Sequence, residues 1–260
     1  KSPYRHLDRL TRVYEYMGPA WYQREIEIPA AWKGKRIFLY FERTHWLSSV
    51  YVGKEEVSKI DYISIPHNHE LTQWLHPGKK ELITFCIDNR YQYDTHKWDH
   101  AHSEFTQINW NGVLGEIKLV AVDPVYVDDM QVYPDIKNKS IKVKMTVRNC
   151  TEHTASGKIS FHVSGKDYRL QKEVPVTVTD SITYIEEEMF LSKDIHLWNE
   201  FHPNLYTLDC KLTSSVEGQS YAHEKSTTFG MREVEAGEDH IILNGEPIHL
   251  RGTVENAVFP

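Results

Sequence analysis

Apolar and polar positions alternate with a period of two along most of this 260-residue chain. The clearest run puts Ile141, Val143, Met145 and Val147 on one face and Lys142, Lys144, Thr146 and Arg148 on the other. That pattern predicts a strand of an antiparallel sheet with one wet side. Similar short runs recur about every ten to fifteen residues, and helical periodicity is nearly absent. The expected fold class is all-β, built from sandwiches.

Two textures divide the chain. After Pro124, strands are expected at Val125–Val132, Ile141–Val147, Ile159–Val163, Val174–Val178, Tyr184–Phe190, Leu205–Leu212 and Ala222–Phe229. Seven strands in about a hundred residues suit an immunoglobulin-like sandwich. Before Pro124 the pattern is less regular. Ile37–Phe41 is apolar on both faces and reads as a central strand. Ser49 to Val57 reads as a hairpin turning at Gly53-Lys54, and Leu82–Ile87 as another strand. Asp88 to Gly115 is irregular and rich in aromatic residues and histidine. Near the end, Asn244-Gly245 separates two short apolar runs, the strongest local signal for a two-residue hairpin. Three regions follow: a sandwich over 1–124, a second over 125–229, and a linker hairpin with one further strand over 230–260. The punctuated tail, with little sequence after it, predicts that the chain is a fragment.

Composition narrows the classes. The chain is 40% apolar and 26% charged, as in an average globular protein. Its formal charge of −7 excludes a nucleic-acid binder that relies on a basic stripe. No apolar run is long enough to span a membrane as a helix. Three cysteines without CxxC spacing imply neither a disulfide framework nor a zinc site. Cys86 reads as a small buried hydrophobe.

Four segments resemble the N-terminal part of glycoside hydrolase family 2, which includes β-galactosidases, β-glucuronidases and β-mannosidases. Trp21–Pro29 with Trp32–Glu42 resembles the opening of the family's sugar-binding domain, and Asn109–Gly115 its close. Leu197-Trp198 with Pro203–Leu208 resembles a late motif of the immunoglobulin-like domain. Phe229–Gly252 resembles the link into a catalytic (β/α)₈ barrel, with Leu250–Gly252 as its first strand. Two departures mark a divergent branch. Gly53-Lys54 stands where the family has Asn-Gly, and Tyr62–His67 replaces a glycine-rich segment. The resemblance implies a jelly-roll-like, galactose-binding-type sandwich, then the immunoglobulin-like one, then the hairpin of a truncated barrel. It further implies an exo-acting retaining β-glycosidase, β-galactosidase-like, as the parent. With a chain that opens at Lys1 without an initiating Met, it implies a periplasmic or secreted setting.

Retaining hydrolysis needs two carboxyl groups about 5 Å apart. The resemblance puts both on later barrel strands, so no catalytic residue is assigned here. Glu186-Glu187-Glu188 alternates faces of a strand and reads as solvated, as does Asp128-Asp129. Glu255-Asn256 reverses the family's acid/base pair and is rejected for that role. Placed after a barrel strand, Glu255 is instead a candidate for binding sugar hydroxyls. The best binding segment is Thr106–Asn111. Thr106, Gln107, Asn109 and Asn111 offer neutral donors and acceptors suited to hydroxyls. Trp110 reads either as a stacking platform or as a core anchor, with a turn at Asn111-Gly112. Asp94, His96, Asp99, His100, His102 and Glu104 cluster without any zinc signature. They read as a solvated loop or as hydrogen-bonding groups beside a sugar cleft. No metal and no cofactor are expected.

The expected partners are a terminal β-linked sugar, through the full-length parent, and the parent's own barrel. No nucleic acid or membrane span is expected, and oligomeric state is not indicated. Two other functions stay open: a stand-alone carbohydrate-binding module, and a structural or adhesive sandwich protein. The barrel-leading tail argues against the first and the polar, aromatic Asp88–Gly115 stretch against the second.

Overall fold

The computed structural model describes residues 16–62, 65–90 and 110–253. These residues are all-β apart from one short 3-10 turn at Ala30–Trp32. They form two compact units, with the break between Ala121 and Val122.

The first unit is a sandwich of two antiparallel sheets. One carries β1 (Pro19–Glu27), β6 (Lys80–Asp88), β3 (Leu47–Val52) and β4 (Glu55–Asp61), in that spatial order. The other carries β5 (His67–Glu70), β2 (Arg36–His45) and β7 (Gly112–Val122), with β2 in the centre as expected. Ile37, Leu39 and Phe41 of β2 pack with Val50, Ile83 and Ile87 of the facing sheet. Phe38 and Tyr40, on the reverse face of β2, are only half-buried. Gly53 takes the positive φ of +62° that opens the β3–β4 turn.

In the second unit, each of the seven strands expected between Val125 and Phe229 is present. β8 (Val125–Asp135), β9 (Ser140–Asn149) and β12 (Ile182–Phe190) make a sheet in the order β12-β9-β8. β10 (Ala155–Gly165), β11 (Tyr168–Val178), β13 (Tyr206–Val216) and β14 (Gln219–Phe229) make the other, β11-β10-β13-β14. The alternation in β9 holds: Ile141, Val143, Met145 and Val147 are buried, while Lys142 and Lys144 are exposed. They pack with Phe161, Leu208 and Leu212, each worth about 1.5–3 kcal/mol on burial. The three glutamates of β12 are surface partners. Glu186 meets Lys144 at 3.1 Å, Glu187 meets Lys172, and Glu188 accepts from Ser140 Oγ at 3.0 Å. Asp128 pairs with Arg148 at 2.6 Å. Exposed pairs of this kind contribute little individually. Cys86 and Cys210 are buried free thiols. Burial pushes the Cys210 thiol up to about 12.

A small meander follows: β15 (Val234–Ala236), β16 (Ile241–Leu243) and β17 (Glu246–Ile248). Asn244 (φ +54°) and Gly245 (φ +88°) form its two-residue turn, since two positive φ angles suit the right-handed strand twist. Asn244 also ties the turn down. Its Oδ1 accepts from Glu233 N at 2.9 Å, and its Nδ2 donates to Trp198 O at 2.9 Å. Trp198 is itself fixed by a 2.9 Å bond from its N–H to Met231 O, by Arg232 lying 4.6 Å over its ring, and by Gly230. A Cβ on Gly230 would come within 2.9 Å of Trp198 Cβ, so glycine is required there. One expectation is corrected. Leu250–Gly252 forms no strand, and Leu250 is 72% exposed. A strand exists only beside a partner backbone, and no described residue pairs with this segment.

Candidate functional site

Of the candidate binding residues, Thr106, Gln107, Asn109 and Glu255 lie outside the described residues, as does the Asp94–Glu104 cluster. Among the described residues no group of three metal-ligating side chains occurs. Trp110 and Asn111 are described, and both sit in a polar knot at the end of β6. Asn89, fully buried, organises it. Its Oδ1 accepts from Gly18 N at 2.9 Å, and its Nδ2 donates to Tyr16 O at 2.9 Å and Trp110 O at 3.1 Å. The Trp110 carbonyl also accepts from His45 Nδ1 at 2.8 Å. The Trp110 ring is 8% exposed and stacks on His45 with centroids 5.0 Å apart. Asn111 Nδ2 donates to Gly18 O at 2.8 Å and Ile87 O at 3.2 Å, while its Oδ1 is buried without a partner. The two residues are held by backbone carbonyls and by the interior, which fixes where the preceding segment joins β7.

Behind the knot lies a buried network that the polar sequence His67-Asn68-His69-Glu70 did not announce. β5 pairs with β2, setting His69 against Leu39, and both histidines are fully buried. Ser48, from the facing sheet, stands between them, with its Oγ 2.6 Å from His67 Nδ1 and 2.8 Å from His69 Nε2. His67 Nε2 lies 2.9 Å from Tyr62 O, and His69 Nδ1 lies 2.8 Å from Ser58 Oγ. A carbonyl can only accept, so His67 carries its proton on Nε2. Its Nδ1 therefore accepts, with the hydroxyls of Ser48 and Thr44 both in reach, and one arrangement consistent with every contact runs as a chain. Ser48 donates to His67, His69 donates to Ser48, and Ser58 donates to His69. Every ring nitrogen is satisfied with both imidazoles neutral. Burial lowers the pKa of each, and His69, with His67 beside it, falls to about 3. The only local hint was the density of hydroxyls and histidines from Thr44 to His69.

Asp88 closes the other side of β6. Hydrogen bonds from Arg90, whose Nε lies 3.0 Å from each carboxylate oxygen, hold its carboxyl below the usual range.

With this architecture described, the comparisons can be placed. Residues 125–232 match the model of "Glycosyl hydrolases family 2". A beta-galactosidase of Thermoanaerobacter pseudethanolicus is 24% identical over 95% of this chain, which spans 33% of that protein. A beta-glucuronidase of Paenibacillus borealis is 22% identical over 96% of the chain, which spans 42% of it. Among solved structures, Bacteroides uniformis beta-glucuronidase 2 superposes with a TM-score of 0.73 at 19% identity, covering 91% of this chain and 29% of that one. A putative beta-galactosidase from Bacteroides fragilis gives 0.74 at 19% identity, covering 92% and 37%. Residues 125–232 thus match a domain of glycosyl hydrolase family 2, and the fold is similar to that of these solved structures. The match falls on the second sandwich, and the chain spans about a third of the length of the relatives it resembles.

Proposed function

We propose that this chain is the non-catalytic front portion of an exo-acting retaining β-glycosidase of β-galactosidase type. In this reading, the first sandwich shapes the pocket for a terminal β-linked sugar and the second braces a catalytic barrel. Thr106, Gln107, Asn109 and Glu255 supply hydrogen-bonding groups to the sugar, and Trp110 and Asn111 anchor the segment that carries the first three. A periplasmic or secreted setting belongs to the same proposal. The observation that carries the reading is the similarity along 95% of the chain to a beta-galactosidase three times its length.

The carboxyl chemistry supports it. Retaining hydrolysis needs one carboxyl held protonated near neutral pH. The described carboxyl groups that leave their ordinary range move the wrong way. Asp88 is lowered by Arg90, Asp135 by Asn138, and Glu173 by Lys158 and Ser160. Ionised groups of this kind do not serve as the general acid. A β-glucuronidase activity is the second reading, favoured by the Paenibacillus borealis relative.

The test compares the 260-residue chain with its full-length parent on p-nitrophenyl β-galactoside and β-glucuronide. The chain alone should be inactive, and the parent should prefer the galactoside. Turnover by the chain overturns the non-catalytic assignment, and preference for the glucuronide moves the parent to the second reading. A parent inactive on every β-glycoside ends the glycosidase proposal. In the parent, Asn109→Ala should cost about 1–3 kcal/mol in kcat/KM with little change in Tm.

A further inference from the structure

The sheet β1-β6-β3-β4 has an outer face, and three adjacent rows of it form a trough. Pairing across the four strands aligns Trp21, Cys86, Ser49 and Lys59 in one row. Gln23, Thr84, Tyr51 and Glu56 make the next, and Pro19, Asp88, Leu47 and Asp61 the row on the other side. In the middle row the central strands contribute only the small Ser49 and Cys86, between Trp21 and Lys59 on the edge strands, with Tyr51 and Leu47 to either side. The result is a groove of about 550 Å³ between Trp21 on β1 and Glu56 and Lys59 on β4.

Its walls are chemically mixed. Trp21 is 59% exposed, and its ring meets that of Tyr51 at 5.5 Å and 43°. Tyr51 Oη donates to Glu56 Oε2 at 2.6 Å, which fixes both groups. The Asp88–Arg90 pair closes one end, and Lys59 stands near enough to help hold the Asp88 carboxyl down. Trp and Tyr are common in protein interfaces too, but Glu56, Lys59 and Asp88 line this groove, and the centre of a protein interface is depleted of such charges. It suits a pyranose. The sugar's C–H face lies on the electron-rich ring face, and its hydroxyls reach Glu56, Lys59 and Asp88 from the rim.

We propose that this outer face is a carbohydrate-binding surface, with Trp21 as the stacking platform and Glu56 and Lys59 as hydroxyl partners for a glycan chain. The proposal does not depend on the activity of the parent.

The test is calorimetric titration of the 260-residue chain with cellotetraose, mannotetraose, xylotetraose and galactotetraose, each up to about 10 mM. At least one should bind with a Kd of about 0.1–1 mM, and Trp21→Ala should weaken it at least about tenfold. Trp21→Tyr should retain most of the affinity. Tyr184→Ala, at an exposed ring of the other sandwich, should leave it unchanged. If Trp21→Ala does not fold, Lys59→Ala makes the same test at an exposed edge position, with a loss of about threefold or more expected. Absence of binding by all four glycans overturns the proposal. So does unchanged affinity in Trp21→Ala, or in Lys59→Ala where that variant replaces it.

Discussion

The two sandwiches share an architecture but not an interior. The second is aliphatic between its sheets, where Val143, Met145 and Val147 pack with Phe161, Leu208 and Leu212. Its buried polar residues are Ser140, Asn149 and Ser214. The first has an apolar part around Ile37, Phe41, Val50 and Ile87, but it also buries Thr44, His45, Ser48, His67, His69, Asp88 and Asn89. An aliphatic core is limited by volume: what is removed is lost as transfer energy and cavity. A polar core is limited by pairing, because one missing partner strands a donor or acceptor in low dielectric. The polar residues of the first sandwich gather at the end of β6, beside Trp110 and Asn111.

The largest expected effect lies in the aliphatic interior. Phe161→Ala should cost about 3–5 kcal/mol. Hydrogen exchange should show the loss in β9, β10 and β13 and not in β2, β3 and β6. Equal loss of protection in both sandwiches would mean that they unfold as one unit and that the contrast has no energetic meaning.

Acid should act on the other sandwich. The folded pKa of His69 and of His67 lies below the unfolded value of about 6.5, so below pH 6.5 the unfolded chain binds more protons than the folded one. Stability should therefore fall as pH drops, from about 6.5 towards about 3 for His69. The slope is roughly 1 kcal/mol per pH unit for His69, or about 2 kcal/mol between pH 6.5 and 4.5, and His67 adds to it in the same direction. Amide exchange in β2 and β5 should rise over this range before that in β9 and β13. A first sandwich as acid-resistant as the second would show that the imidazoles do not control it.

Ser48→Ala sharpens the same point at constant pH. It strands His69 Nε2 and leaves His67 Nδ1 only the Thr44 hydroxyl, for about 1–3 kcal/mol, although it removes only one oxygen atom. Loss of no more than a few tenths would mean that Thr44 Oγ1, 2.9 Å from His67 Nδ1, takes over.

The smallest effect belongs to the meander. Asn244→Ala removes the side-chain bonds to Glu233 and Trp198 and puts Cβ-bearing alanine at φ +54°, for about 1–2 kcal/mol. Protection of Leu243 should fall while the sandwich core keeps its own. A fall across β13 and β14 would make the meander part of the core of the second unit.

Legibility in the sequence followed the same divide. The strands of the second sandwich could be read because each declares its face locally, as Ile141–Val147 does with strict alternation. The Asn244-Gly245 turn was readable because two positive φ angles in succession restrict residue choice at those positions. Trp110 was equivocal between platform and anchor, since a single aromatic residue does not reveal what lies against it. His45 and Asn89 do lie against it, from strands distant in sequence. Leu250–Gly252 was expected as a strand from the family resemblance, but strand formation depends on a partner that no local pattern supplies.

The chain's own pattern determined the all-β class, the seven strands after Pro124 and the hairpin near the end. Period-two burial and turn stereochemistry act over a few residues and leave a direct mark in sequence. Only the tertiary structure decided that His67 and His69 are interior and neutral, and that Trp21, Tyr51, Glu56 and Lys59 wall one groove. Those outcomes rest on register between strands and on the approach of a facing sheet. Both are set by the summed packing of residues far apart in the chain.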